Sequence, residues 1–198
     1  LTARGTANVF WAVATLGSRN RELRRMLPSL VEMAAFRATE MESQEVANVV
    51  WGCAKMRLDA AQLKELIPVL AGVVVDRADY LSAQEMSNII WASATLRGKA
   101  PALMEAIPAL AEVAPELAGE FEAQHISNLF WSAATLRREA PDFQELLLAL
   151  MDVAHARVAT MNAQAVTNTL WALAALRREA PGLQELLPAL VGVARERA

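Results

Sequence analysis

Apolar residues recur along this chain at helical spacing, and that pattern itself recurs. In the stretch "EAQHISNLFWSAATL", Ile126, Phe130, Ala133 and Ala134 fall on one side of an α-helix. Gln124, Asn128, Trp131 and Thr135 fall within about 60° of one another on nearly the opposite side. Related words, "ANVFWAVATL", "ANVVWGCAKM", "SNIIWASATL" and "TNTLWALAAL", complete a series of Trp11, Trp51, Trp91, Trp131 and Trp171 that steps by 40 residues without a slip. A fixed period in this range marks tandem units that bury their apolar faces against their neighbours. The pattern predicts an all-α fold, a right-handed α-solenoid of five helical hairpins covering 1–40, 41–80, 81–120, 121–160 and 161–198. The chain starts and stops within this pattern, with no polar capping unit, which predicts that it is part of a longer protein.

Within each unit the first helix is expected over positions 3 to 16. Thr2, Ser43, Ser82 and Asn162 mark its start, and Ser82 with Glu85 has the spacing of a capping box. Arg57, Arg97, Arg137 and Arg177 stand at its end, where a cation suits the helix dipole. A second helical segment follows a short turn, opened in three units by Pro101, Pro141 or Pro181. Pro28, Pro68, Pro108 and Pro188 then interrupt it at one repeat position, so it should kink or divide there. The fourth unit has Leu148 at that place, which predicts an unbroken second helix. Two helices per unit is the expectation, with three as the fallback.

The polar–aromatic stripe has two readings. A Trp at one position of every unit is an inter-repeat packing residue by default, because burying an indole outweighs most surface roles. Asn48, Asn88, Asn128 and Asn168 could bridge adjacent helices through their amides, or could face a ligand. Asparagine is a poor helix former whose presence calls for a hydrogen-bonding partner. Gln44, Gln84, Gln124 and Gln164 recur one turn earlier, flanked by a position that changes from unit to unit: Glu45, Glu85, His125 and then Ala165. A row of amides and indoles could grip an extended polymer, with stacking contributing about 1–3 kcal/mol per base.

Composition narrows the chemistry. The 55% hydrophobic content supplies a core, while only 6% is aromatic, so packing rests on Ala, Leu, Val and Met, all but Val strong helix formers. No apolar run is long enough to span a membrane. The net charge of −3 opposes strong non-specific binding to nucleic acid, yet it is uneven. The first unit has six basic and three acidic side chains, the third two and five. The four arginines would form a basic row along one edge, thickened by Arg138 and Arg178. Cys53 is the only cysteine, so no internal disulfide can form, and neither His125 nor His155 stands at metal-ligand spacing from it. No phosphate loop or activated nucleophile is visible, so neither enzyme activity, a small-molecule substrate, a cofactor nor a metal is expected.

The recurring word, seen at 162–176 as "NAQAVTNTLWALAAL", resembles the octotricopeptide and related heptatricopeptide-type helical repeats of organellar proteins, including FAST-kinase-like and RAP-domain proteins. That resemblance covers all five units. It implies an α-solenoid that binds single-stranded RNA in mitochondria or chloroplasts, with Gln124, His125 and Asn128 facing the RNA. A peptide- or protein-binding scaffold is the alternative, since armadillo repeats of about this length also use Asn and Trp ladders.

Overall fold

The computed structural model describes residues 1–17, 20–141 and 143–196, and among these it is helical without strands. The first helices are α1 (Ala3–Leu16), α3 (Ser43–Met56), α6 (Ala83–Thr95), α9 (Ala123–Thr135) and α12 (Ala163–Leu176). The second segments are α2 (Arg21–Arg37), then α4 (Ala60–Leu63) with α5 (Leu66–Asp76), α7 (Ala102–Glu105) with α8 (Ile107–Val113), and α10 (Phe143–Ala149) with α11 (Met151–Arg157). The last unit has a 3₁₀ turn, Pro181–Leu186, running into α13 (Leu187–Glu196). Each first helix packs along its length on its predecessor and successor, α1 on α3, α3 on α6, α6 on α9 and α9 on α12. The second segments form another layer, through contacts such as α2 with α5 and α8 with α10.

The first helices start where local chemistry dictates. Their free amide groups are satisfied by capping boxes, Ser82 with Glu85 as expected, and also Glu42 with Glu45 and Glu122 with His125. The cap of α3 is thus Glu42, with Ser43 already inside the helix. Ahead of the caps of α3, α6, α9 and α12 lies a buried apolar residue, Met41, Leu81, Phe121 or Met161, and the buried Val46, Met86, Ile126 and Val166 follow at the spacing of a hydrophobic staple. Ile126, Leu129, Phe130, Ala133 and Ala134 are fully buried, so the predicted apolar side of α9 does face the interior. Each such large side chain contributes about 1.5–3 kcal/mol by leaving water.

Small residues let the first helices approach closely. Gly52 packs on Phe10, and Ser87, Ser93, Ser127, Ser132 and Thr169 are buried along the same layer. The hydroxyls of Ser93, Ser127 and Thr169 donate back to carbonyls of their own helix at 2.9, 3.2 and 2.8 Å, so those buried groups are satisfied locally.

The second layer departs from expectation in two units. The prolines divide it in three, and Pro68, Pro108 and Pro188 each fall in the first turn of the piece after the break, where a missing amide hydrogen costs nothing. Pro28 instead lies inside the continuous α2. The fourth unit, expected to be unbroken because it has Leu148, divides at Leu150, whose φ of −95° and ψ of 9° leave the helical region. Nothing in the side-chain pattern marks that break, and three helical pieces per unit is the commoner arrangement.

Candidate nucleic-acid interface

The side of the first-helix layer away from the core carries the stripe. Gln44, Gln84, Gln124 and Gln164 are exposed there, and Asn48, Asn88, Asn128 and Asn168 are half-buried. Trp51, Trp91 and Trp131 are half-buried, whereas Trp11 and Trp171 are each 47% exposed. Each indole thus keeps part of its surface open to solvent.

The asparagines do not form a continuous ladder. Asn128 donates to the Ser87 hydroxyl of the preceding unit at 3.3 Å and accepts from the Gln124 amide at 3.0 Å. The residues matching Ser87 in the first two units are Ala7 and Ala47, which offer no side-chain acceptor to Asn48 or Asn88. Those amides therefore keep their donors for water or a ligand. Among the described residues the Asn128–Ser87 contact is the one asparagine bridge between units.

The residues at the variable position are occupied by capping. The Glu45 and Glu85 carboxylates accept from the backbone amides of Glu42 and Ser82 at 3.1 and 2.8 Å, and His125 Nδ1 accepts from that of Glu122 at 3.2 Å. Burial lowers the His125 pKa from its ordinary value, and the nearby Glu122 carboxylate offsets part of that effect. A neutral ring is what this cap requires, since a protonated Nδ1 cannot accept.

The arginine row runs along the opposite ends of these helices. Arg97 donates to the Thr135 carbonyl of the next unit, Arg137 to Ala134 at 2.9 Å and Arg177 to Ala174 at 3.2 Å, each at a helix end. Arg57 ends α3 in a left-handed conformation with φ of 55°. A guanidinium has five donor hydrogens, so one carbonyl contact leaves most of its hydrogen-bonding capacity outward. Arg97, Arg137 and Arg138 share a polar hollow of about 400 Å³ with Gly98, Thr135 and Glu139.

A second hollow of about 400 Å³ crosses the stripe on a diagonal. It is lined by Ala54, Lys55 and Arg57 of the second unit, Trp91 and Thr95 of the third, Trp131 of the fourth, and Gln164 and Asn168 of the fifth. The stacking of α3, α6, α9 and α12 brings these together, although they span more than a hundred residues of chain. The Thr95 hydroxyl oxygen is buried there without a hydrogen-bond partner. Lys55, which sequence reasoning passed over because other units have Thr or Ala at that position, lies 5.7 Å from the Trp51 ring centre. Glu45, Glu85, His125 and the remaining glutamines of the predicted set lie outside this groove.

Among the described residues no three His, Cys, Asp or Glu side chains gather as a metal set, and no helix is long and apolar enough to cross a membrane. Fold and site together define an all-helical protein whose side-by-side first helices present indoles, amides and cations on one face. The chain belongs to the family described as RNA-editing substrate-binding complex 6 protein, whose model matches residues 3–190. The family's description is RNA-associated and the chain is helical, which supports the broader part of the expected resemblance without naming the octotricopeptide or heptatricopeptide class. The search of curated proteins finds no match at a significant level.

Proposed function

We propose that the five units form one right-handed α-solenoid and that its first-helix face binds single-stranded RNA, in a protein working within an RNA-processing assembly. The observation that carries this reading is the groove of Lys55, Arg57, Trp91, Trp131, Gln164 and Asn168. It combines what a single strand requires: cations for phosphates, ring faces for bases and amides for base edges. Duplex nucleic acid suits it less, because an indole stacks on a base only where that base is unpaired. The family's description, which names an RNA-editing substrate-binding complex, supports the same ligand class. No catalytic group takes part: the protein holds RNA, and chemistry belongs to other components. An organellar location is the setting that the repeat resemblance suggests.

A protein partner is the second reading, favoured by a separate hollow of about 420 Å³ on the second layer. There Pro28, Val31, Ala35 and Ala61 form an apolar floor beside Glu32, Asp59 and Glu65. Binding of single-stranded RNA across a salt series tests the first reading. Affinity should fall by at least tenfold between about 50 and 200 mM salt, as expected when a few phosphate contacts release counterions. Charge reversal at Arg97, Arg137 and Arg177 should weaken it further. No micromolar binding at low salt would remove the RNA reading and leave the scaffold.

A further inference from the structure

The two long edges of the first-helix face differ in charge, and the carboxylates that mark the N-terminal edge at α3, α6 and α9 are missing at α1 and α12. At the helix C-terminal edge stand Lys55, Arg57, Arg97, Lys99, Arg137 and Arg177. At the N-terminal edge α3 is flanked by Glu40, Glu42 and Glu45, the first two paired with Arg37 and Arg77, α6 by Asp79 and Glu85, and α9 by Glu120 and Glu122. α12 has Thr160, Asn162 and Ala165 at the corresponding places, with no carboxylate. Of the four units that line the diagonal groove, only the fifth contributes residues from the N-terminal half of its first helix, Gln164 and Asn168. The groove therefore leads from the basic corner of the second unit to the stretch of acidic edge where the acid is missing.

Beside that gap lies another polar hollow, of about 450 Å³, between the fourth and fifth units. Arg157 lines it, held in place by donating to the carbonyls of Phe121 at 2.8 Å and Gly119 at 3.1 Å. Glu122 lines its other side, and Asn162 and Thr160 complete it. A fixed cation thus stands where a departing phosphate would pass, offsetting the one carboxylate present.

We infer that single-stranded RNA follows this diagonal, entering at Lys55 and Arg57, crossing Trp91 and Trp131, and leaving over Gln164 and Asn168 through the uncharged gap at Thr160 and Asn162. This rests on the RNA reading above and adds a path to it. Three helix-to-helix steps of about 9 Å, with a drop of about ten residues along the helix axis, give a track of roughly 30 Å. At a stacked rise of about 3.4 Å that track holds about nine nucleotides, and fewer in a stretched strand. The path also divides the labour. The indoles accept any base, and selectivity comes from the amides of Gln164 and Asn168 near the exit.

The test closes the gap with the protein's own chemistry. Thr160→Glu with Asn162→Glu copies the pairs Glu40/Glu42 and Glu120/Glu122 at two exposed positions, so folding is expected to persist. Tyr80→Glu with Ser82→Glu places the same pair on the third unit's edge, also at exposed positions and away from the track. Binding of a fluorescein-labelled, random-sequence RNA of about twelve nucleotides is read by anisotropy at low salt, with melting curves as the folding check. The gap-closing variant should bind about tenfold more weakly, as two added carboxylates near a phosphate would cause, and the control should stay within about twofold. Equal weakening in both variants, or none in the first while the unaltered protein binds, overturns the path and leaves RNA binding standing. Failure of the unaltered protein to bind RNA removes both.

Discussion

Gly52 offers a direct measurement of how tightly the first helices are stacked. A methyl group added there would lie 2.7 Å from Cδ1 and 3.1 Å from Cε1 of Phe10, well inside contact distance. The ring is fully buried and cannot swing out to make room. Two effects oppose each other in Gly52→Ala. Helix propensity favours alanine by about 1 kcal/mol. Overpacking a dense core costs about 1–3 kcal/mol, and with an obstacle that is a closed ring the upper half of that range applies. The net expectation is a loss of about 1 kcal/mol, which in a chain of this size lowers the melting temperature by about 2–4 °C. Phe10→Leu alone should also destabilise, by roughly 1 kcal/mol, yet it clears the space the new methyl needs. The double variant should therefore be more stable than the sum of the single losses by at least about 0.5 kcal/mol. Circular dichroism melts of the four proteins supply every term. A rise in melting temperature for Gly52→Ala, with no coupling to Phe10, would refute the claimed proximity of α1 and α3.

Two further outcomes follow from titratable groups. The folded His125 pKa is depressed, so its contribution to stability is full above the unfolded value near 6.5 and is lost as pH falls through the folded value. Melting temperature should thus drop on acidification from about pH 7 towards 5, and His125→Gln, which keeps an acceptor at the cap, should flatten that drop; an unchanged pH slope in the variant would count against the cap. Burial pushes the Cys53 thiol well above its ordinary range. It should react with a thiol-specific disulfide reagent only at the rate of global opening, rising steeply with urea, whereas prompt labelling of native protein would contradict its burial.

The first helices were legible in the sequence because every determinant of them is local. The 3.6-residue period, the Ser82–Glu85 spacing and the arginines at the far end act within one or two turns, and the observed bounds follow them. The second layer was less legible. Proline predicts a break only if the chain cannot place it elsewhere, and units two, three and five solve this by starting a new helix just before it. Pro28 within α2, and the break at Leu150 without a proline, follow from no local rule in the sequence. The site divides in the same way. The stripe emerged from periodicity, and Trp91, Trp131, Gln164, Asn168 and Arg57 do line one groove. The diagonal did not, since it depends on how far each helix is offset against the next. The capping role of Glu45 and His125 was not legible either, since it appears only in the hydrogen bonds to the amides of Glu42 and Glu122.

Because each first helix touches chiefly the ones before and after it, the chain can be edited like a sentence of interchangeable clauses. Excising 81–120 would seat α9 against α3, put Trp131 beside Trp51, and still leave a helix of the same design at the junction. The excised protein would lose one indole platform while its neighbours kept their spacing. Lineages could thus lengthen or shorten the helical face by whole modules, with no new core to invent at each change.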